Sequence, residues 1–157
     1  MAVASTTAMH LRANAEIRTV IHNPADAATA QLVDLAQPKT GATQCLPIMG
    51  FRSFFAQLTT SILGGTGPTA FSISAATSAA GAGGVAVVTH AMGSLPNALQ
   101  DSVCLECNVA QIRETLATAT HVGVWVDCNH NDDEAAVVFI RGDAVNPRDA
   151  LTADYVS

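Results

Sequence analysis

The residues best suited to chemistry lie between positions 101 and 143. Cys104-Leu105-Glu106-Cys107 spaces two thiols as C-x-x-C, and Cys128 with His130 adds a sulfur and an imidazole. Zinc takes four such ligands when they converge tetrahedrally, usually from a tight turn. Here Cys104 falls inside an alternating run, and residues i and i+3 of a strand point to opposite faces. Both thiols are therefore expected to be free, buried sheet residues, with no metal between them. Cys45 brings the cysteines to 4, an even number, but nothing marks secretion and no disulfide is expected.

Asp127-x-Asn129-x-Asn131 has the opening of a calcium-binding loop. Its sixth position, where the turn needs Gly, is Asp132, and its twelfth, where a Glu closes the site, is Val138. The stretch reads instead as a solvated acidic hairpin tip. Arg141-Gly142-Asp143 spells an adhesion tripeptide, but Gly and Asp after a strand also suit a turn. A structural turn is expected there. The glycine-rich runs 64–67 and 81–84 lack a following Lys-Ser or Lys-Thr and do not open a helix, so neither is a phosphate loop. No Gly-x-Ser-x-Gly elbow occurs. His90 and His121 fall at strand ends, where structural imidazoles are common. No catalytic, cofactor-binding or metal-ligating residue is assigned, so the chain is expected not to be an enzyme and to need no cofactor.

The elements that would position these residues are mostly strands. Residues 15–22 alternate, with Ile17, Thr19 and Ile21 on one side. Residues 51–63 form a long β-rich run, followed by the breaker GGTGPT. Residues 70–76 put Phe71, Ile73 and Ala75 on one face and Ser72 and Ser74 on the other. A Gly/Ala turn at 80–84 then leads into 85–90, which should pair back as a hairpin. Residues 94–100 read as a loop around Pro96, and 102–107 as a strand. The clearest helix spans 108–117, with Asn108 as N-cap, Gln111 completing a capping box and an Ile112/Leu116 stripe. Two strong strands, 122–128 and 135–141, flank the polar loop 129–134 and read as a hairpin. Val122, Val124 and Val126 share one face, which should be buried, with Trp125 on the other.

Asn23-Pro24-Ala25-Asp26 has helix-start chemistry. Residues 29–35 nevertheless fit a strand better, before the turn at 37–43. The pattern as a whole predicts an all-β fold: a β-sandwich, or a barrel-like variant, of about six to eight strands with one short α-helix. Residues 1–14 would be an N-terminal arm, 15–145 the sandwich domain and 146–157 a C-terminal tail.

The 157 residues suit one such domain. Charged residues are 13%, about half the share typical of soluble domains. A net charge of -6 and a pI near 5.1 argue against nucleic acid as the main partner. Residues 1–100 carry three acids and four bases, while 101–157 carry ten acids and three bases. Between Arg52 and Asp101 there is no Asp, Glu, Lys or Arg. A free monomer rarely leaves a third of its length uncharged, so this stretch is either interior or covered by neighbours. Its best apolar window, 69–88, is mostly Ala, Ser, Thr and Gly, too weak for a membrane span. The N-terminus has neither the early basic cluster nor the apolar core of a signal peptide.

The segments GFRSFFAQLTTSI, FSISAATSAAGAG, DSVCLECNVAQIRE, THVGVWVDC and VVFIRGDAVNP occur in that order over residues 45–147. This order resembles small virion proteins of tailed bacteriophages, often encoded among head genes. The resemblance implies a β-sandwich that binds capsid subunits or itself. It implies a decoration- or cement-type structural protein located in the virion after assembly in the host cytoplasm. Its partners would be the major capsid protein, copies of itself, or both, with no nucleic acid and no membrane. The Ser/Thr/Ala outer face of the 70–90 hairpin and the 1–14 arm would lie against neighbours. The competing reading is a receptor- or carbohydrate-binding sandwich module. Sugar binding typically uses aromatic platforms, for which Trp125 and Tyr155 are a thin supply.

Overall fold

The computed structural model describes residues 15–22, 31–33, 35, 44–62, 68–90, 101–128 and 133–145. The proposed 1–14 arm, the 146–157 tail, the helix-start motif at 23–26 and the loop at 94–100 lie outside the described residues.

Two antiparallel sheets form the domain, and neither closes into a barrel. The first has the order β1(Glu16–His22), β9(Glu134–Gly142), β4(Ser53–Ile62), β7(Ser102–Asn108). The second has the order β2(Gln31–Leu32), β8(His121–Cys128), β5(Pro68–Ala76), β6(Val85–His90), with β3(Leu46–Pro47) also on β8. Among the described residues of the segment expected as a strand over 29–35, Gln31–Leu32 form the short β2. Val33 and Leu35, just beyond it, are fully buried.

Period-2 alternation builds the core. In the first sheet Phe54, Ala56, Leu58, Val103, Leu105, Cys107, Ala135, Val137 and Phe139 point inward and are buried. In the second, Phe71, Ile73, Ala75, Val122, Val124 and Val126 answer them, all at 0% exposure. Phe54 and Phe139 stack across strands, with centroids 6.3 Å apart and planes 16° off parallel. Each fully buried Val, Leu, Ile or Phe among them contributes about 1.5–3 kcal/mol through apolar area removed from water.

The uncharged stretch now has a partial explanation. β4 lies between β9 and β7, and β5 between β8 and β6, so both are paired along both edges. A strand held in the middle of a sheet has little use for Lys or Glu. The apolar window at 69–88 is strand, turn and strand, and among the described residues no helix is long and apolar enough to cross a membrane.

The hairpin expected between 122–128 and 135–141 does not form. β8 pairs with β5, β2 and β3 in one sheet, while β9 pairs with β1 and β4 in the other. Both strands have one buried face and neighbours on both sides. Each is therefore satisfied within its own sheet, and the two face each other across the core rather than pairing edge to edge.

The helix α1(Val109–Thr115) is capped as its sequence indicates, though it ends at Thr115 with Leu116 as C-cap rather than at Ala117. The Asn108 side chain accepts from the Gln111 N–H at 3.0 Å, and the Asn108 N–H donates to Gln111 Oε1 at 2.9 Å. Ile112 anchors the helix at 0% exposure.

Candidate functional site

Most of the chemical motifs turn out to have structural work. Cys104 and Cys107 do lie on opposite faces of β7, so the pair cannot grip one ion together. Cys107 is buried, but Cys104 is exposed, which corrects the expectation of two buried thiols. It stands on the outer, exposed side of the alternation along β7, which is the edge strand of its sheet. Burial pushes the Cys45 thiol from 9.0 up to about 12. Burial, then the nearby Glu106 carboxylate, does the same to Cys107. Cys45, Cys104 and Cys107 are free thiols.

The acidic stretch is not simply a solvated tip. Asp133 is only 1% exposed, and the Oδ1 atom of Asp127 is also buried. Asn129, His130, Asn131 and Asp132 lie outside the described residues.

Arg141 of the adhesion-like tripeptide faces the core, 8% exposed. Its guanidinium donates to the Pro47 carbonyl at 2.7 Å and lies 4.4 Å from the centre of the Phe51 ring. A Cβ on Gly142 would meet Ser53 Oγ at 2.8 Å, and Asp143 takes a left-handed φ of 53°. The tripeptide is thus a strand end turning away from the sheet, with its cation committed inward.

The 81–84 glycines make room for Trp125. A Cβ on Gly84 would stand 3.1 Å from the indole, and one on Gly81 2.7 Å from Leu32 Cδ2. At Gly123 a Cβ would lie 2.5 Å from Cys45 Sγ and 2.9 Å from Trp125. The chain's own Leu32, Cys45 and Trp125 therefore pack on the outside of the second sheet. Backbone bonds of 2.9 and 2.7 Å from Gln44 and Cys45 to the Ala79 carbonyl hold that cover down. Under it Ser74 is 4% and Ala76 0% exposed. The small-residue outer face expected to meet a partner on the 70–90 hairpin is thus partly closed from within. Trp125, a candidate sugar platform, is half-buried in this packing, and Tyr155 lies outside the described residues.

The Thr120 hydroxyl donates to the Thr77 carbonyl at 2.8 Å and lies 2.8 Å from His121 Nδ1. A hydroxyl has one proton to give, so Nδ1 carries the hydrogen of the second bond and His121 acts as donor. That arrangement ties a strand start to a turn and does not activate a nucleophile.

The first sheet presents a different kind of surface. Its register sets Ile17, Ile140 and Phe55 side by side on β1, β9 and β4, followed by Glu106 on β7. The next row is Thr19, Val138, Gln57 and Cys104, and Ala136, Thr59 and Ser102 continue it. All of these point away from the core. Ile17 is 49% exposed, Phe55, Val138 and Ile140 are half-buried, and Thr19 and Cys104 are exposed. The acids of this face, Glu106 and Glu134, stand at its margins, on the edge strand β7 and at the first residue of β9. Its centre is apolar or neutral. Sequence reading found the alternation of each strand but not this face, because only the register brings β1, β4 and β9 together.

No protein-family model matches the chain. No curated protein matches it. Among solved structures, PRD1 vertex protein P5 is similar in outline, at 10% sequence identity and a TM-score of 0.49, over 83% of this chain and 73% of that one.

Proposed function

We propose that this chain is a structural protein of a bacteriophage particle. It is a capsid-associated subunit of decoration or cement type that binds capsid subunits, copies of itself, or both, and it has no catalytic role. The observation that carries this reading is the outer face of the β1-β9-β4-β7 sheet, where a row of Ile17, Ile140 and Phe55 lies beside a row of neutral side chains and meets an acid, Glu106, only at the edge strand. A face of this kind loses little polar hydration when another protein covers it. The structural uses of Arg141, His121 and the 81–84 glycines fit the same reading, as does the order of segments over residues 45–147.

Quantitative mass spectrometry of gradient-purified particles, from cells that produce this chain, tests the role. The expected result is many copies per particle, retained through salt washes. Absence of the chain from intact particles would overturn it.

A further inference from the structure

We infer that the outer face of the four-stranded sheet pairs with the same face of a second copy of this chain. The inference rests on the structural reading above and names the partner of that face. Its centre is the register pair Phe55 and Ile140, on the two middle strands β4 and β9.

Three observations select a second copy as occupant. The first is charge. Each chain carries a net charge of -6, so two copies repel unless they meet where neither is charged. Among the described residues, the middle of this face is such a place. A two-fold axis parallel to the strands, running between β4 and β9, keeps each row in place and reverses its order. Phe55 of one copy then lies over Ile140 of the other. Glu106 of one copy comes to lie over Ile17 of the other, and Glu134 of β9 over the end of β4, so among the described residues no acid of this face meets an acid.

The second is shape and composition. A sheet face packs on a sheet face about 10 Å away, with side chains of both interdigitating. Here the Ile17–Ile140–Phe55 row supplies an apolar ridge, and Thr19, Gln57 and Thr59 supply neutral donors and acceptors beside it. A basic partner would find little acid to pair with, and a strongly acidic one no cation on these rows.

The third is area. Four strands about 4.8 Å apart and seven residues of about 3.4 Å each span a plan area of about 450 Å². With side-chain relief each copy covers roughly 600 Å², so a pair buries about 1,200 Å², the lower bound for a specific interface. The pairing is thus a modest, concentration-dependent one, of the kind that many copies on one particle reinforce.

Sedimentation velocity of the purified chain across a dilution series tests the pairing. The expected result is a reversible dimer. Phe55→Arg should shift it to monomer, weakening the apparent dissociation constant by at least about tenfold. Phe55 is half-buried, so Thr19→Arg, at an exposed position of the same face, provides the second reading and should do the same. Thr89→Arg, on β6 of the other sheet, should leave the dimer intact. Far-UV circular dichroism and a thermal melt confirm that each variant folds. A chain that is monomeric at about 100 μM, or a dimer indifferent to both Phe55→Arg and Thr19→Arg, would overturn the inference. Particle incorporation is scored separately. A monomeric chain found in particles removes the pairing and keeps the structural role, and a dimer absent from particles does the reverse.

Discussion

Arg141 holds its guanidinium 4.4 Å from the centre of the Phe51 ring while donating to the Pro47 carbonyl at 2.7 Å. The pair closes the end of the core where β9 finishes. Cation–π contacts that are shielded from water are worth about 0.5–2 kcal/mol. A double-mutant cycle with Arg141→Met and Phe51→Leu, followed by urea melts, should give a coupling in that range. Additivity within about 0.3 kcal/mol would show that the two side chains do not interact.

The capping box of α1 is the most local test of the fold. Asn108→Ala removes the acceptor for the Gln111 N–H and should lower stability by about 0.5–2 kcal/mol. Gln111→Ala removes only the reciprocal bond to the Asn108 N–H and should cost less. Equal stability of Asn108→Ala and the parent in denaturant melts would contradict the cap.

Val124 is fully buried on β8, with Ile73 opposite it on β5. Val124→Asp places an unpaired carboxylate in a dry site and should cost more than about 3 kcal/mol, enough to unfold a marginal domain. Thr89→Asp, exposed on β6, serves as the control and should change stability by less than about 0.5 kcal/mol. Similar melting temperatures for the two variants would mean that β8 has a different register.

The fold was legible wherever a single strand declared its own alternation. Phe71, Ile73 and Ala75 on one side of β5, and Val122, Val124 and Val126 on one side of β8, are buried as their spacing demands. The β5–β6 hairpin and its glycine turn were also legible, because turn chemistry is local. What failed was non-local. A polar loop between two alternating strands looks the same whether they lie side by side or in opposite sheets, so β8 and β9 read as a hairpin. Cys104 looked like a buried thiol because nothing in its own strand says that this face of β7 is open. The candidate face was hidden for a related reason. Ile17, Phe55 and Ile140 come from three distant segments, and only the β1–β9–β4 register makes them neighbours.

The buried thiols give a pH dependence with a definite sign. Cys45 and Cys107 rise from 9.0 to about 12 in the folded chain, mainly through burial. Below pH 9 both states keep these protons, so the thiols are neutral in their effect. Between pH 9 and 12 the unfolded chain releases them and the folded chain does not, so stability falls as pH rises. The slope is about 1.4 kcal/mol per pH unit for each thiol. Denaturant melts under reducing conditions at pH 8 and pH 10.5, on the parent and a Cys45→Ala/Cys107→Ala double variant, isolate this contribution from other groups that titrate there. The parent should lose more stability than the double variant. Equal losses would place both thiols in contact with solvent.

Hydroxyl-radical footprinting of the chain, free at low concentration and then assembled in particles, tests the central claim most directly. It reports side-chain exposure residue by residue. Ile17, Phe55, Ile140 and Cys104 should lose several-fold of their oxidation on assembly, because they lie on the face that a neighbour covers. Met49, 86% exposed at a turn away from that face, should keep its reactivity or change independently. Unchanged oxidation of Ile17, Phe55 and Ile140 in the assembled chain would contradict the account.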